Sequence, residues 1–279
     1  MLKSEQKVAI VTGASSGIGR ETVLQLVKNG YQVHAGARRL EAMSDLKNAG
    51  AYVHHLDLTS PESIEAFASH ILNLTGRVDV LVNNAGYGAY GAIEDVPMTA
   101  AREQMEVNLF GLAQLIKTIL PTMRKQRSGK IINVSSIGGK LWSPLGGWYH
   151  ASKFAVEGLS DALRNELRPF GIDVVVIEPG GVKTEWGGIM SENMKKASGS
   201  GPYQPIVDAW TKASSVEVGQ AMPAQIAAVI VRAANSPKPK PRYVSPTSGR
   251  IFLLFRWLLS DRAFDWFMGK VFRLPATIQ

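Results

Sequence analysis

Lys7-Val8-Ala9-Ile10-Val11-Thr12-Gly13-Ala14-Ser15-Ser16-Gly17-Ile18-Gly19 is the stretch on which the reading of this chain turns. Its apolar, β-branched opening has no polar alternation, as expected of a strand buried on both faces. A helical pattern follows through Val23, Leu26 and Val27 up to Asn29-Gly30. Strand, glycine turn and helix in that order suit a phosphate ligand. Gly13 can make the sharp turn, Gly17 lets backbone approach a phosphate, Gly19 lets helix and strand close up, and the helix N-terminus attracts the anion. The candidate phosphate loop is thus Gly13, Ser15, Ser16, Gly17, Ile18 and Gly19. Its spacing is Gly-x-x-x-Gly-x-Gly rather than the general dinucleotide Gly-x-Gly-x-x-Gly, which narrows the choice of family.

The chain has 279 residues, enough for one large α/β domain or two small ones. Hydrophobic residues make up 45% and charged residues 19%, as in a globular protein. No cysteine occurs, which removes disulfide frameworks, thiolate metal sites and thiol nucleophiles, and agrees with a reducing compartment. The opening Met1 to Lys7 is polar, with no apolar run of signal-peptide type, so a cytoplasmic location is expected. The net charge is +8, yet Lys and Arg are scattered with no basic stripe among aromatics. A nucleic-acid partner is therefore not expected, and part of the charge reads as a bias toward a phosphate ligand.

Beyond the first helix, a second strand runs from Tyr31 to about Ala37 and ends in Ala37-Arg38-Arg39, where a dinucleotide fold reads the adenosine ribose. An acid there would hydrogen-bond a free 2′-hydroxyl, but none occurs before Glu41. A guanidinium at Arg38 can hold a 2′-phosphate, which favours NADP(H) over NAD(H); Arg39 reads more simply as a solvated residue. A third strand, Ala51 to Leu56, ends in Asp57-Leu58-Thr59. Asp57 faces the expected adenine position, or else caps its own turn. The fourth strand, Val78 to Val82, runs into Asn83-Asn84-Ala85-Gly86, where Asn84, Ala85 and Gly86 could tie neighbouring backbone and admit a ligand closely. A long helix from Thr99 to Lys125 buries the amide of Asn108 among Met105, Leu109 and Leu112. That amide needs partners, and it either caps a kink or holds a water behind the site.

A fifth strand, Lys130 to Val134, leads through Ser135-Ser136 to Tyr149-His150-Ala151-Ser152-Lys153, in the first turns of a helix reaching Pro169. Residues four apart on a helix are stacked neighbours, so the Lys153 ammonium should favour the Tyr149 phenolate. An unperturbed phenol titrates near about 10, and a close cation makes it a usable acid/base. A hydroxyl at the strand end could meet the phenol from the other side. The sixth strand, Ile172 to Ile177, ends in Glu178-Pro179-Gly180-Gly181-Val182-Lys183-Thr184. From Glu185 to Met222 the periodicity is poor, as in a loop closing over a ligand. A helix from Pro223 to Ala234 and a seventh strand, Arg242 to Val244, complete the pattern. The remainder, Ile251 to Phe272, is aromatic and aliphatic but too interrupted by charge to span a bilayer. It is expected to cover the pocket or a partner subunit, because Asp261 and Asp265 would be repelled by anionic lipid. Peripheral membrane contact through Arg250, Arg256, Arg262 and Lys270 is the remaining alternative.

Together, Thr12-Gly13-x-x-x-Gly17-x-Gly19, Asn83-Asn84-Ala85-Gly86, Asn108, Ser136, Tyr149-x-x-x-Lys153 and Pro179-Gly180 resemble the short-chain dehydrogenase/reductase family over residues 7 to 245. The C-terminal ending is similar to 17β-hydroxysteroid-dehydrogenase-like and retinol-dehydrogenase-like members. The resemblance implies a doubly wound (Rossmann) α/β fold, with a seven-stranded parallel sheet of order 3-2-1-4-5-6-7 and NAD(P)(H) along its carboxyl edge. It implies one domain over 1–279, with a substrate-loop region at 185–222 and a C-terminal helical extension at 247–279. It further implies Tyr149 as proton donor or acceptor, Lys153 on the nicotinamide ribose, Ser136 orienting the carbonyl with Ser135 as fallback, and Asn108 anchoring a relay water. Thr184 matches the residue on the nicotinamide carboxamide, and Pro179, Gly180 and Val182 lie beside it. The implied reaction moves hydride between nicotinamide and a hydrophobic ketone, aldehyde or secondary alcohol, without a metal, and the implied assembly is a homodimer. A non-catalytic NAD(P)-sensing protein on the same fold is the alternative, though it would not need Asn108, Ser136, Tyr149 and Lys153 together.

Overall fold

The computed structural model describes residues 6–214, 219–275 and 277, so the polar opening at Met1 to Glu5 lies outside the described residues. Seven strands run β1 Val8–Thr12, β2 Gln32–Ala37, β3 Tyr52–His55, β4 Val80–Asn83, β5 Gly129–Val134, β6 Ile172–Pro179 and β7 Arg242–Ser245. All pair in parallel, in the order β3-β2-β1-β4-β5-β6-β7. The expected doubly wound sheet is present. Chain direction across the sheet reverses between β1 and β4, which opens a crevice at their carboxyl ends.

The helices are α1 Gly17–Lys28, α2 Ser44–Asn48, α3 Pro61–Thr75, α4 Met98–Met105, α5 Gly111–Gln126, α6 Gly147–Leu167, α7 Glu185–Ser198, α8 Gln204–Ser214, α9 Pro223–Asn235, α10 Thr247–Leu258 and α11 Asp261–Val271. Strand residues alternate between two buried layers. Ala9 and Val11 of β1 join Val23 and Leu26 of α1 and Ile226 and Ile230 of α9 on one face. Val8 and Ile10 join Ile64, Phe67 and Ile71 of α3 and Leu115 and Ile119 of α5 on the other. Burial on both faces explains why the strands read as unbroken apolar runs.

Two expectations change in detail. The long helix is interrupted at Glu106–Phe110 by a π-helical turn that carries Asn108. The 185–222 region is not irregular: α7 and α8 occupy most of it, with residues 215–218 outside the described residues. Met190 and Met194, and then Val207 and Trp210, lie at helical spacing and are buried. Four glycines, at 187, 188, 199 and 201, dilute that spacing in the sequence, because glycine is a poor helix former. The extension forms α10 and α11, whose inner residues Phe264 and Met268 bury against Leu141. No helix among the described residues is long and apolar enough to cross a membrane.

Candidate active site

At the β1–β4 crevice, backbone is held by very short side chains. The Thr12 hydroxyl accepts from the backbone N–H groups of Asn84 and Ala85, each at 3.1 Å. The Asn84 amide donates back to the carbonyls of Thr12 at 3.0 Å and Gly13 at 3.2 Å. Gly13 and Gly17 have φ values of +66° and +55°, in the left-handed region that favours glycine. A Cβ at Gly13 would lie 2.7 Å from the Ala85 Cα, and one at Gly19 only 2.3 Å from the Gly13 carbonyl oxygen. Ser16 begins α1 without a side-chain cap, and its first turn holds no acid. The residues present therefore fit a bound phosphate: an uncapped N-terminus behind a glycine cradle too tight for side chains. Thr184, at the start of α7, lies across the same loop, with its methyl 3.3 Å from the Cβ position at Gly17. Val182 is bridged to Ala221, and the Gly180 N–H donates to the Ser245 carbonyl at 2.8 Å, so the turn after β6 is fixed beside the crevice.

The Ser136 hydroxyl lies within hydrogen-bonding reach of the Tyr149 phenol and lowers its pKa. Ser136 is set by the Gly138 N–H, which donates to its hydroxyl at 3.0 Å, and by its own 3.3 Å bond to the Pro179 carbonyl. Ser135 turns away, since its Oγ lies 2.7 Å from the Cβ position of Gly139 and has no hydrogen-bond partner. Lys153 is buried, with Nζ donating to the Val134 carbonyl at 2.9 Å and lying 5.9 Å from the Tyr149 ring centroid. Gly86 faces both, for its Cβ position is 3.5 Å from Lys153 Nζ and 3.0 Å from Asn108 Oδ1. The two amide hydrogens of Asn108 go to the Tyr87 carbonyl at 2.9 Å and the Ser152 hydroxyl at 3.0 Å, while Oδ1 accepts from the Tyr87 N–H at 3.0 Å. That side chain clamps the segment after Gly86.

The expected lowering of the Tyr149 pKa by Lys153 does not appear. Burial pushes the phenol up to about 12, against the Ser136 hydrogen bond, which pulls it down. Burial also brings Lys153 down to about 8, opposed by the Glu157 charge. Helical stacking brought the pair together, but desolvation outweighs it.

Sequence reasoning passed over what stands behind these groups. His150 bridges two loop segments, with Nδ1 2.9 Å from the Gly138 carbonyl and Nε2 accepting from the Ser143 N–H at 2.9 Å. That pattern requires a neutral ring protonated at Nδ1, and burial lowers its pKa accordingly. Glu157 and Glu178 are also buried, with Arg242 Nε at 3.1 Å and 3.3 Å from them and Lys140 Nζ at 3.6 Å and 3.8 Å. Burial and then Glu157 raise the Glu178 carboxyl, against Lys140 and Arg242. The spacing of Glu157 four residues after Lys153 was a visible signal for its place.

At the other end of the crevice, burial would raise the Asp57 carboxyl, but the Thr59 amide and hydroxyl and the charges of Arg38 and His55 hold it below its usual range. Both Thr59 groups bond Asp57 Oδ1, at 2.9 Å and 2.8 Å, so Asp57 holds its own turn at the carboxyl end of β3. Leu58 is buried beside it, its carbonyl 2.2 Å from the Cβ position of Gly111. Arg38 is exposed on the Asp57 side, and Arg39 reaches back to the Ser15 hydroxyl at 3.4 Å. Both arginines thus stand at the adenosine end.

Over Tyr149 lies an apolar cover. Its ring is 5.6 Å from Tyr90, which is 6.0 Å from Trp210, which in turn stacks on Phe272 at 5.8 Å. Met190, Met194 and Val207 close the cluster. The Trp210 indole N–H is buried without a hydrogen-bond partner.

A crevice built for a phosphate, with a hydroxyl pair and buried lysine at its inner end, is the arrangement of a nicotinamide-dependent oxidoreductase. The short chain dehydrogenase family matches residues 7–195, and the chain belongs to the short-chain dehydrogenase/reductase family of oxidoreductases acting on CH–OH or C=O groups. Over 268 residues it is 35% identical to the probable short-chain type dehydrogenase/reductase VdlC of Helicobacter pylori, covering 96% of this chain and 97% of that one. A short-chain dehydrogenase structure from Streptomyces avermitilis superposes with a TM-score of 0.80 at 36% identity, covering 97% and 98% of the two chains. An alcohol dehydrogenase from Thermococcus sibiricus, complexed with 5-hydroxy-NADP, follows at a TM-score of 0.71 and 28% identity, covering 86% and 96%.

Proposed function

We propose that this protein is an NADP(H)-dependent carbonyl reductase or alcohol dehydrogenase for a hydrophobic substrate. The observation that carries the reading is the joined Ser136–Tyr149 pair above buried Lys153, opening toward Gly86 at the inner end of the phosphate crevice. When bound, the nicotinamide would supply or accept a hydride at its C4. Ser136 and Tyr149 donate hydrogen bonds to the substrate oxygen, and Tyr149 passes the proton that balances the hydride. Its raised pKa keeps the phenol protonated, which suits donation to a carbonyl in the reducing direction. Lys153 holds the nicotinamide ribose with its ammonium, and Asn108 keeps the segment after Gly86 in place. Gly13, Ser15, Ser16, Gly17, Ile18 and Gly19 hold the pyrophosphate. Asn84, Ala85, Gly86, Pro179, Gly180, Val182 and Thr184 flank the nicotinamide. Asp57 and Leu58 line the adenine position, and Arg38 takes the 2′-phosphate that distinguishes NADP(H). That the Thermococcus sibiricus relative carries an NADP derivative supports this cofactor.

The ring cluster of Tyr90, Trp210 and Phe272 supports an apolar substrate. A homodimer belongs to the same reading, with Phe110 and Phe154, 53% and 45% exposed, as its apolar surface. Tyr149→Phe keeps the ring and removes the proton. Turnover, followed by absorbance of the reduced nicotinamide over a panel of ketones and alcohols, should fall at least about a hundredfold while NADPH still binds. Retained turnover in that variant would overturn the mechanism.

A further inference from the structure

The inner face of the C-terminal extension is accounted for, but its outer face is not. At its edge, Arg256 stacks over Trp142 at 4.5 Å and pairs with the exposed Asp261 at 2.9 Å, and the Trp142 indole donates to the exposed Asp265 at 3.0 Å. The two carboxylates expected to repel anionic lipid are therefore engaged with the extension's own anchoring groups. Outside, Ile251, Leu254, Phe255 and Leu258 form a stripe at i, i+3, i+4 and i+7 of α10, exposed by 38–60%. Trp257 beside it is 79% exposed, and Trp266 of α11 is 67% exposed. Six large apolar side chains on two adjoining helices exceed what isolated surface residues explain.

The surrounding charge identifies what covers them. Residues 247–275 carry five cations and two carboxylates. Arg250, Arg262, Lys270 and Arg273 are exposed, and none of them has a carboxylate partner among the described residues, while Lys270 lies 5.8 Å from the Trp266 ring. Tryptophan, leucine and arginine together suit the boundary between headgroups and acyl chains, where rings bury and cations meet phosphates and carboxylates. A symmetric pairing of this face with a second copy would instead set one cation set against the same set.

We propose that the outer face of α10 and α11 docks peripherally on an anionic lipid bilayer, with Trp257, Leu258 and Trp266 in the interface and Arg250, Arg262 and Lys270 on the headgroups. The docked unit ends at Phe272, stacked on Trp210 of the cover, so the bilayer would lie beside the apolar cover over Tyr149.

The full-length protein is sedimented with phosphatidylcholine vesicles containing phosphatidylserine and with pure phosphatidylcholine vesicles. The expected result is binding to the former, weakened by salt, and little to the latter. The double variant Trp257→Ser, Leu258→Ser should lose vesicle binding while its Tm and NADPH affinity stay unchanged. Arg250→Gln, Arg262→Gln and Lys270→Gln should each weaken partitioning by about fivefold. Equal sedimentation with both vesicle types, or unchanged binding in the double variant, overturns the proposal. So does a gel-filtration dimer that the double variant dissociates, because that outcome assigns the face to a second copy.

Discussion

At the β1–β4 edge, contacts are made by backbone and by the shortest polar side chains, and glycines are pressed against main chain: the Cβ position of Gly19 is 2.3 Å from a carbonyl. In the cover, rings meet at centroid separations of 5.6–6.0 Å, and among the described residues Gly187, Gly188 and Gly201 of the α7–α8 region meet nothing within 4 Å of their Cβ positions beyond chain neighbours and their own helix backbone. On the proposed function, the difference follows from the ligand each part would meet. A dinucleotide has one shape, and hydrogen bonds to it lose strength over tenths of an ångström. An apolar substrate is recognised by area removed from water, which tolerates adjustment. On that reading, close fit is concentrated at the proposed cofactor edge and looser packing in the proposed substrate cover.

The largest effect that could break this comparison comes from matched glycine substitutions. Gly19→Ala forces Cβ into the Gly13 carbonyl, and overpacking of about 1–3 kcal/mol should lower Tm and weaken NADPH up to about a hundredfold. Gly188→Ala meets open space in α7, so cofactor affinity should hold and Tm should rise slightly. Calorimetric melting with cofactor titration decides between them; similar losses in both would mean the cover is as tightly fitted as the edge.

Next comes the adenosine end. Charge-assisted hydrogen bonds of about 1.5–3 kcal/mol mean that Arg38→Ala should weaken NADPH roughly ten- to a hundredfold and hardly touch NADH. Equal weakening of both cofactors would make Arg38 structural, and a selective loss in Arg39→Ala instead would transfer the role to its neighbour on Ser15.

Trp210→Ala sharpens the contrast from the other side. Removing a buried aromatic contact should raise the KM of an apolar ketone about tenfold, while NADPH affinity changes by less than about twofold. If cofactor affinity falls in parallel, cover and edge are one unit.

The smallest effect is one of pH. His34 and His54 lie 2.9 Å apart between β2 and β3, and burial first, then neighbouring histidine charge, lowers both to about 4 from 6.5. A depressed pKa gives stability that is complete above about 6.5 and is lost as pH falls toward about 4. Hydrogen exchange at β2–β3 should therefore quicken between those values before exchange in α10 and α11 does, and His34→Gln should flatten the dependence. Simultaneous quickening throughout would show that the edge strand has no local acid response.

How much was legible follows the same division. The glycine loop, Asn83 to Gly86, Tyr149 and Lys153 were readable because each sits in a few consecutive residues whose chemistry needs that spacing, and the family resemblance supplied the strand order. The helices α7 and α8 were hidden, because glycine blurred a periodicity that burial of Met190, Met194, Val207 and Trp210 restores. Nothing local announced that the Asn108 amide would close on Tyr87, that His150 would tie Gly138 to Ser143, or that Glu178 would face Glu157 across 21 residues of sequence.

The sequence by itself determined the sheet, the glycine-lined crevice and the adjacency of Tyr149 and Lys153, since periodicity, glycine conformation and helical spacing act over neighbours. Tertiary structure alone decided the proton affinities and the exposed face. Burial against distant Tyr90 and Trp210 sets the environment of Tyr149, and packing of Phe264 and Met268 on Leu141 turns Trp257 and Trp266 outward. Desolvation and exposure are properties of what comes to lie alongside a residue, and in this chain those neighbours are as far apart as Leu141 and Met268, 127 positions.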